Sequence, residues 1–161
     1  MKKVFYYNTP IGEIGIAEER GYISNLLLNK EELINEEYII EETELLRQAS
    51  MQLLEYFNKN RKTFSLPLAP KGTDFQMKVW KALCDIPYAK TCSYKDIALI
   101  IGNPKAARAV GMANNKNPIA IFIPCHRVIG SNGKLVGYGG GLEIKEYLLN
   151  LEKTNINPSK K

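Results

Sequence analysis

Helix-start and helix-stop residues alternate at short intervals between Thr73 and Asn114, which predicts a series of short helices in this stretch of the chain. Thr73 and Gln76 have the spacing of a capping box, which predicts the start of a first helix, and Pro87 ends it. Cys84, near the end of this helix, is predicted to be a small core residue.

Two further short helices are predicted on either side of Gly102-Asn103-Pro104, which together form a helix-turn-helix pattern. Ser93 caps the first of them, over 94–101, and the second begins at Asn103-Pro104 and runs to about residue 114. Its one arginine, Arg108, stands among alanines and a glycine, whereas helices that recognise base edges carry several long polar side chains. The composition therefore favours a close approach of this helix to DNA that does not depend on base sequence, for which the minor groove is suited.

The first 70 residues alternate short apolar runs with turn residues, a pattern typical of a small β-sheet. Apolar residues then recur at helical spacing from residue 43 to residue 58, which predicts an amphipathic helix. Residues 59–71, with two prolines, form a predicted connector. The strands are predicted at Val4–Asn8, Glu13–Glu18 and Tyr22–Leu28, with a turn at Thr9–Gly12.

Charge is distributed unevenly along the 161 residues. Residues 1–70 hold 8 Lys and Arg against 11 Asp and Glu, a net charge of −3. Residues 71–161 hold 14 against 6, a net charge of +8. This asymmetry favours contact of the second part with a polyanion, and a solvated basic face is the alternative interpretation.

The chain contains no apolar run of the roughly 18 residues that a membrane-spanning helix needs, and no signal-peptide pattern. Its three cysteines are an odd number without a Cys-x-x-Cys pair, which favours free thiols in a reducing compartment. We therefore expect a cytoplasmic protein without disulfides, a zinc site or membrane contact.

A candidate buried strand at Ile119–Ile123 runs directly into Pro124-Cys125-His126-Arg127, which contains the single histidine of the chain. A cation beside a thiol lowers the pKa of that thiol and favours the nucleophilic thiolate. The structural alternative is an inert, buried Cys–His pair. Because adjacent side chains point in different directions, Cys125 and His126 would communicate through a water molecule or a bent backbone. Glu152 is the candidate carboxylate that orients the imidazole.

The segment Pro124-Cys125-His126-Arg127-Val128-Ile129 resembles the active-site motif of the methylated-DNA–protein-cysteine methyltransferases, or O6-alkylguanine-DNA alkyltransferases. The resemblance covers residues 73–152 and implies an α+β (α/β) fold. In that fold, an RNase H-like N-terminal lobe of sheet plus helix (1–70) precedes a mostly helical domain with a helix-turn-helix, for DNA binding and alkyl transfer (71–161). The other segments that follow the family's order and spacing are Ser93-Tyr94, 102–111, Asn117-Pro118 and 137–142.

The resemblance also implies roles for single residues. Cys125 accepts the alkyl group. His126 keeps Cys125 in the thiolate form through a water molecule, and Glu152 orients His126. Tyr94 donates a proton to the guanine, Asn117 braces the site, and Arg108 enters the base stack in place of a flipped nucleotide. The implied DNA contacts are Tyr94, Ala106, Ala107, Arg108, Ala109, Gly111 and Arg127, and the implied pocket residues are Val128, Tyr138, Gly139 and Gly140.

The implied function is DNA repair, in which the alkyl group of O6-alkylguanine in double-stranded DNA is transferred irreversibly to Cys125 after the base is flipped out. Without a resolving cysteine, each molecule reacts once. The resemblance implies a monomer that uses no cofactor and no metal. The alkyl-size preference and the inhibitor sensitivity stay open, because Ala120 and Gly139 stand where relatives often have proline and serine. Any action on O4-alkylthymine stays open as well.

Three other functions compete with repair. A protein that marks lesions without repairing them would lack the reactive cysteine, so Cys125 argues against it. A thiol hydrolase with a Cys–His pair leaves the basic second part and the Arg108 helix unexplained. A helix-turn-helix regulator would need more polar side chains on its reader helix.

Overall fold

The computed structural model describes residues 1–28, 33, 35–135, 138 and 140–156. These residues form two compact units. The first comprises Met1–Lys71 and Pro118–Phe122, and the second comprises Gly72–Asn117 and Ile123–Lys161. The predicted α+β class is confirmed, since the first unit contains a four-stranded sheet and the second contains four helices among its described residues.

The strands of the first unit are β1 (Lys2–Thr9), β2 (Gly12–Glu19), β3 (Tyr22–Leu27) and β4 (Tyr38–Ile40). They form one sheet with the order β3-β2-β1-β4. The first three are antiparallel and agree with the predicted runs to within two residues at each end, whereas β4, which pairs in parallel with β1, was not predicted. Gly12 closes the β1–β2 turn with φ +102°, a conformation that favours glycine.

Helix α1 (Glu44–Phe57) supplies the apolar face that the spacing predicts. Thr43 caps it by accepting a hydrogen bond from the Leu46 backbone N–H at 3.1 Å. The buried apolar residues of this helix are Leu46, Ala49, Leu53, Tyr56 and Phe57.

The run Ile119–Ile123 is buried as expected, but the prediction that it forms a regular strand is wrong. Ile119 forms an isolated parallel bridge with Leu26 of β3, whose backbone N–H donates a 2.9 Å hydrogen bond to the Pro118 carbonyl. The chain then turns, with Ile121 at φ +74° and the Phe122 N–H bonded to the Ala120 carbonyl. Residues 118–122, which the sequence assigned to the second part, therefore belong to the first unit.

The second unit contains two capping boxes that define its helix starts. The elements of this unit are α2 (Asp74–Cys84), β5 (Cys92–Ser93), α3 (Tyr94–Ile100), α4 (Ala107–Asn115), β6 (Val128–Ile129) and α5 (Leu142–Thr154). Thr73 and Gln76 form the predicted capping box at the start of α2, and Ser93 forms another with Asp96 at the start of α3. Strands β5 and β6 pair in parallel.

Two local predictions in this unit are wrong. Helix α4 begins at Ala107 rather than at Asn103-Pro104, because residues 103–106 form a turn closed by a 3.0 Å bond from the Ala106 N–H to the Asn103 carbonyl. Cys84 is exposed at the last residue of α2, not packed in the core, because the buried face of that helix ends one residue earlier at Leu83.

Trp80 connects α2 to α4, since its indole N–H donates a 2.8 Å hydrogen bond to the Ala113 carbonyl. This bond satisfies the polar atom of a side chain that is 2% exposed. Helix α4 is thereby anchored on one face, while its other face carries Arg108 outward. Within the described ranges, no helix has the length and apolarity that a membrane span requires.

Candidate active site

Cys125 lies in a tight backbone bend. The residues Cys125–Arg127 form one turn of 3-10 helix, closed by a 3.0 Å bond from the Arg127 N–H to the Pro124 carbonyl. The Cys125 side chain is 4% exposed. The bent backbone that the sequence offered as one alternative is therefore present.

Glu152, on α5, contacts the histidine of this turn. The distance from His126 Nε2 to Glu152 Oε2 is 2.6 Å, and both side chains are buried. Burial raises the pKa of Glu152, but the hydrogen bonds and charges of His126 and Arg127 outweigh it and lower that pKa to about 2. The carboxylate is therefore ionised near neutral pH, and the structure brings together the two residues that the sequence paired.

The His126 imidazole has the protonation that a base requires. Burial lowers its pKa more than Glu152 raises it, so the ring is neutral near pH 7. Because an ionised carboxylate only accepts, Nε2 carries the proton and donates a hydrogen bond to Glu152. Nδ1 is then an unprotonated nitrogen, fully buried and not hydrogen-bonded to any other described residue.

Arg127 is buried in the protein, so its predicted role as a DNA contact is wrong. It is 6% exposed and its Nε and Nη2 donate to the two oxygens of Glu152 at 2.8 and 3.0 Å. Its Nη1 donates to the Ile86 carbonyl at 2.8 Å, and the guanidinium lies 5.6 Å from the centre of the Tyr88 ring. These contacts position Glu152 with the guanidinium, and the burial of the side chain keeps it from a phosphate in this structure.

The Cys125 thiol is protonated at rest. Burial raises its pKa to about 11, although a hydrogen bond with Asn117 and the charge of Lys145 act in the opposite direction. Asn117 also holds the backbone before the thiol, since its Nδ2 donates to the Ile123 carbonyl at 2.8 Å. Cys125 therefore needs a base and a positive environment in order to react as a thiolate.

Two buried polar residues near the thiol were missed by the sequence analysis. Asn114 donates from Nδ2 to the Cys125 carbonyl at 3.3 Å, and Lys145 donates from Nζ to the Val128 carbonyl at 2.6 Å. Lys145 precedes Glu152 by seven residues, about two helical turns, which places both on the same face of α5. The seven-residue spacing from Glu152 was the feature of the sequence that could have identified Lys145 as a residue near the site.

Tyr94 is half-buried at the first position of α3. Burial and then the charge of Cys125 raise the pKa of its phenol, so the hydroxyl keeps its proton near neutral pH. A Cβ atom built on Gly111 of α4 would lie 3.8 Å from the Tyr94 ring, an ordinary van der Waals distance. Internal packing at this point therefore leaves room for a methyl group at position 111.

The predicted DNA-contacting residues of α4 lie on its outer side or next to it. Arg108 and Ala109 are exposed, and Ala106, Ala107 and Gly111 are half-buried. Met112, which the sequence analysis did not include, is 65% exposed on the same helix. Of the predicted pocket residues, Val128 is fully buried, Tyr138 and Gly140 are half-buried, and Gly139 lies outside the described residues.

Comparison with known proteins identifies relatives over both units. Residues 74–154 match the family model for the 6-O-methylguanine DNA methyltransferase DNA binding domain, and residues 3–70 match the ribonuclease-like domain of the same proteins. A methylated-DNA–protein-cysteine methyltransferase of Methanosarcina barkeri is 53% identical over 156 residues, which is 94% of this chain and 99% of the relative. The chain belongs to this family.

Two other relatives agree. The constitutive methylated-DNA–protein-cysteine methyltransferase of Bacillus subtilis is 52% identical over 92% of this chain and 95% of its own length. The crystal structure of Mycobacterium tuberculosis OGT in complex with DNA superimposes with a TM-score of 0.89 and 43% identity, covering 98% of this chain and 97% of that one. These comparisons confirm the resemblance and the fold class, and the match of residues 74–154 supports DNA binding by this chain.

Proposed function

We propose that this methyltransferase repairs O6-alkylguanine by accepting the alkyl group on Cys125. The observation that carries the assignment is the buried His126–Glu152 contact at 2.6 Å, which leaves a basic nitrogen on the residue next to the thiol. A neutral base beside a protonated thiol is the arrangement that generates a thiolate nucleophile. Membership of the family supplies the substrate class.

In the proposed reaction, the Cys125 proton passes to His126 Nδ1 through a bridging water molecule, and the imidazolium is stabilised by Glu152. A sulfur electron pair then forms the S–C bond to the alkyl carbon as the bond from that carbon to O6 breaks. The electrons of the broken bond remain on the guanine, which takes a proton from Tyr94 as it departs. The thioether is stable, so one molecule repairs one lesion.

The experiment is intact-mass measurement after incubation with a duplex that carries one O6-methylguanine. We expect a gain of one methyl group per molecule, with peptide mapping placing it on Cys125. An unchanged mass, or a methyl group on another residue, would overturn the proposal.

We also propose that α4 approaches the minor groove and that Arg108 occupies the gap left by the flipped nucleotide. Support comes from the exposed Arg108 among small residues and from the match to the family's DNA binding domain. A flipped base needs such a replacement because unpairing and unstacking are costly in the duplex. The monomeric state and the cytoplasmic location stay predictions.

Replacing Arg108 by alanine is expected to slow repair of duplex DNA by about tenfold for each 1.4 kcal/mol of lost stabilisation of the flipped state. The free methylated base needs no flipping and should react at nearly the wild-type rate. The matched control is Tyr94→Phe, which should slow both substrates because the guanine needs its proton in either case. Equal slowing of both substrates by Arg108→Ala would make Arg108 a pocket or structural residue.

Gly111→Ala tests the close approach of α4 independently of the chemistry. Alanine in a helix stabilises it by about 0.5–1 kcal/mol relative to glycine, and the protein itself has room for the methyl group. In a tight DNA interface the same methyl group should cost about 1–3 kcal/mol, which is roughly 5- to 150-fold in affinity. The thermal unfolding temperature should therefore rise, while the DNA affinity measured by titration should fall. Unaltered DNA affinity would place this face of α4 away from the DNA.

A further inference from the structure

Asn114, in the last turn of α4, is a buried polar residue that the reaction steps above do not use. Its side chain is 1% exposed, and its Nδ2 donates a 3.3 Å hydrogen bond to the backbone carbonyl of Cys125. Because a carbonyl oxygen only accepts hydrogen bonds, this contact fixes the orientation of the amide, with Nδ2 facing Cys125 and Oδ1 on its other branch. Asn114 is therefore a direct neighbour of the nucleophilic residue.

Two buried acceptor atoms adjoin Cys125, Asn114 Oδ1 and His126 Nδ1, and neither has a hydrogen-bond partner among the described residues. His126 is next to Cys125 along the chain, and Asn114 reaches it through the 3.3 Å bond. Nδ1 of His126 can only accept, because Nε2 carries the proton that faces Glu152. A buried acceptor without a donor is unfavourable, so two of them beside one residue indicate a shared donor.

We propose that Asn114 is the positioning residue for the water molecule that carries the Cys125 proton to His126. A buried water molecule typically makes about three hydrogen bonds. Here its oxygen accepts from the Cys125 S–H, one hydrogen is donated to His126 Nδ1, and the other is donated to Asn114 Oδ1. This inference rests on the proposed function only in taking a water molecule as the proton carrier.

Proton transfer reverses two of these three hydrogen bonds and leaves the third unchanged. The S–H proton moves to the water oxygen, and the water hydrogen that faced Nδ1 moves to that nitrogen, so the water is regenerated as the thiolate and the imidazolium form. The water then accepts from the Nδ1–H group of His126 and donates to the sulfur of Cys125. Its bond to Asn114 Oδ1 is the same before and after, so Asn114 holds the water while its other two partners exchange roles.

The test is the rate at which iodoacetamide alkylates Cys125 in a Cys84→Ser, Cys92→Ser background, which leaves one thiol in the chain. This reagent needs neither DNA nor a guanine leaving group, since the sulfur displaces iodide from carbon. Asn114→Leu replaces the amide by an apolar group of similar size, so the bridging water would leave one hydrogen unpaired in a buried site. Such a water is bound about tenfold more weakly, and we expect the alkylation rate to fall by about the same factor.

The matched control is Val110→Ala, which removes apolar contacts from a fully buried position of the same helix. It should lower the Tm and leave the alkylation rate in place. Nitrogen-15 NMR separates positioning from packing, because the Nδ1 resonance of His126 moves downfield when this nitrogen loses a hydrogen-bond donor. We expect that shift in Asn114→Leu and not in Val110→Ala. An unchanged rate in folded Asn114→Leu protein would overturn the inference.

A second measurement keeps Asn114, in case the leucine variant does not fold. A high-resolution crystal structure of the wild-type protein should show one ordered water within about 3.2 Å of both Asn114 Oδ1 and His126 Nδ1. A different donor at Asn114 Oδ1, or no water in contact with it, would contradict the inference. A protein that holds this water but takes no methyl group from DNA would refute the proposed function and leave the role of Asn114 standing.

Discussion

Replacing Cys125 by serine is expected to abolish methyl transfer and to leave DNA binding nearly unchanged. A serine hydroxyl is almost wholly un-ionised at neutral pH, and it is a far weaker nucleophile than a thiolate. The substitution removes only one sulfur from a position that is 4% exposed, while the outer face of α4 is untouched. Transfer is measured by the methyl mass gain, and DNA affinity by fluorescence anisotropy on an unmethylated duplex.

The matched controls are the other two cysteines. Cys84→Ser changes an exposed position and Cys92→Ser changes a half-buried one, and both variants should take up one methyl group as the wild-type protein does. A methyl group still transferred to the Cys125→Ser protein would show that the acceptor lies elsewhere. If the Cys125→Ser protein lost DNA binding as well as methyl transfer, the substitution would have caused a folding defect instead.

Glu152→Gln should be the most destabilising of the substitutions considered. The amide cannot balance the buried Arg127, and its NH2 group would face the N–H donors of His126 and Arg127 if its oxygen kept the Ala89 bond. Removing one partner of a buried ion pair costs about 3–5 kcal/mol. For a protein of this size that corresponds to a fall in Tm of roughly 10 °C, accompanied by loss of transfer because His126 is no longer oriented.

Acid unfolding distinguishes this effect from a general loss of packing. The pKa of Glu152 falls from 4.5 to about 2 on folding, so the unfolded chain binds more protons between those values. The stability that Glu152 contributes is therefore complete above about pH 4.5 and is lost as the pH falls towards 2. Glu152→Gln should flatten the pH dependence of stability in this window, whereas Glu146→Gln, at an exposed position of α5, should not. Equal slopes for wild-type and Glu152→Gln proteins would contradict the lowered pKa.

The helix starts that could be predicted are those specified by side chains close in sequence. Thr73 with Gln76, and Ser93, each satisfy the backbone N–H groups of the turn that follows, so the local residues determine the boundary. The start of α4 could not be predicted in this way. Pro104 suits the first turn of a helix and also the second position of a β-turn, and the observed turn at 103–106 is the second of these.

The site likewise contains residues that could be predicted from local sequence and one, Arg127, whose position could not. Cys125 and His126 were found because they are adjacent, and Glu152 because it lies near the end of the last predicted helix. The burial of Arg127 could not be read from its neighbours, since it depends on a carboxylate 25 residues away that accepts from both His126 and Arg127. A basic residue beside a reactive thiol in a basic half of the chain looks the same in sequence whether it faces DNA or the core.

The segment Pro118–Phe122 limits how far the two units can be treated as exchangeable modules. Four of its five residues are buried and it bonds to β3 of the first unit, yet it is continuous with Asn117 on one side and with Ile123, two residues before the nucleophile, on the other. A fragment that starts at Gly72 would keep these apolar residues without the strand that pairs with them. A chimera that takes its first 71 residues from a relative would have to take residues 118–122 from the same relative, so recombination of repair proteins of this kind has three crossover points rather than one.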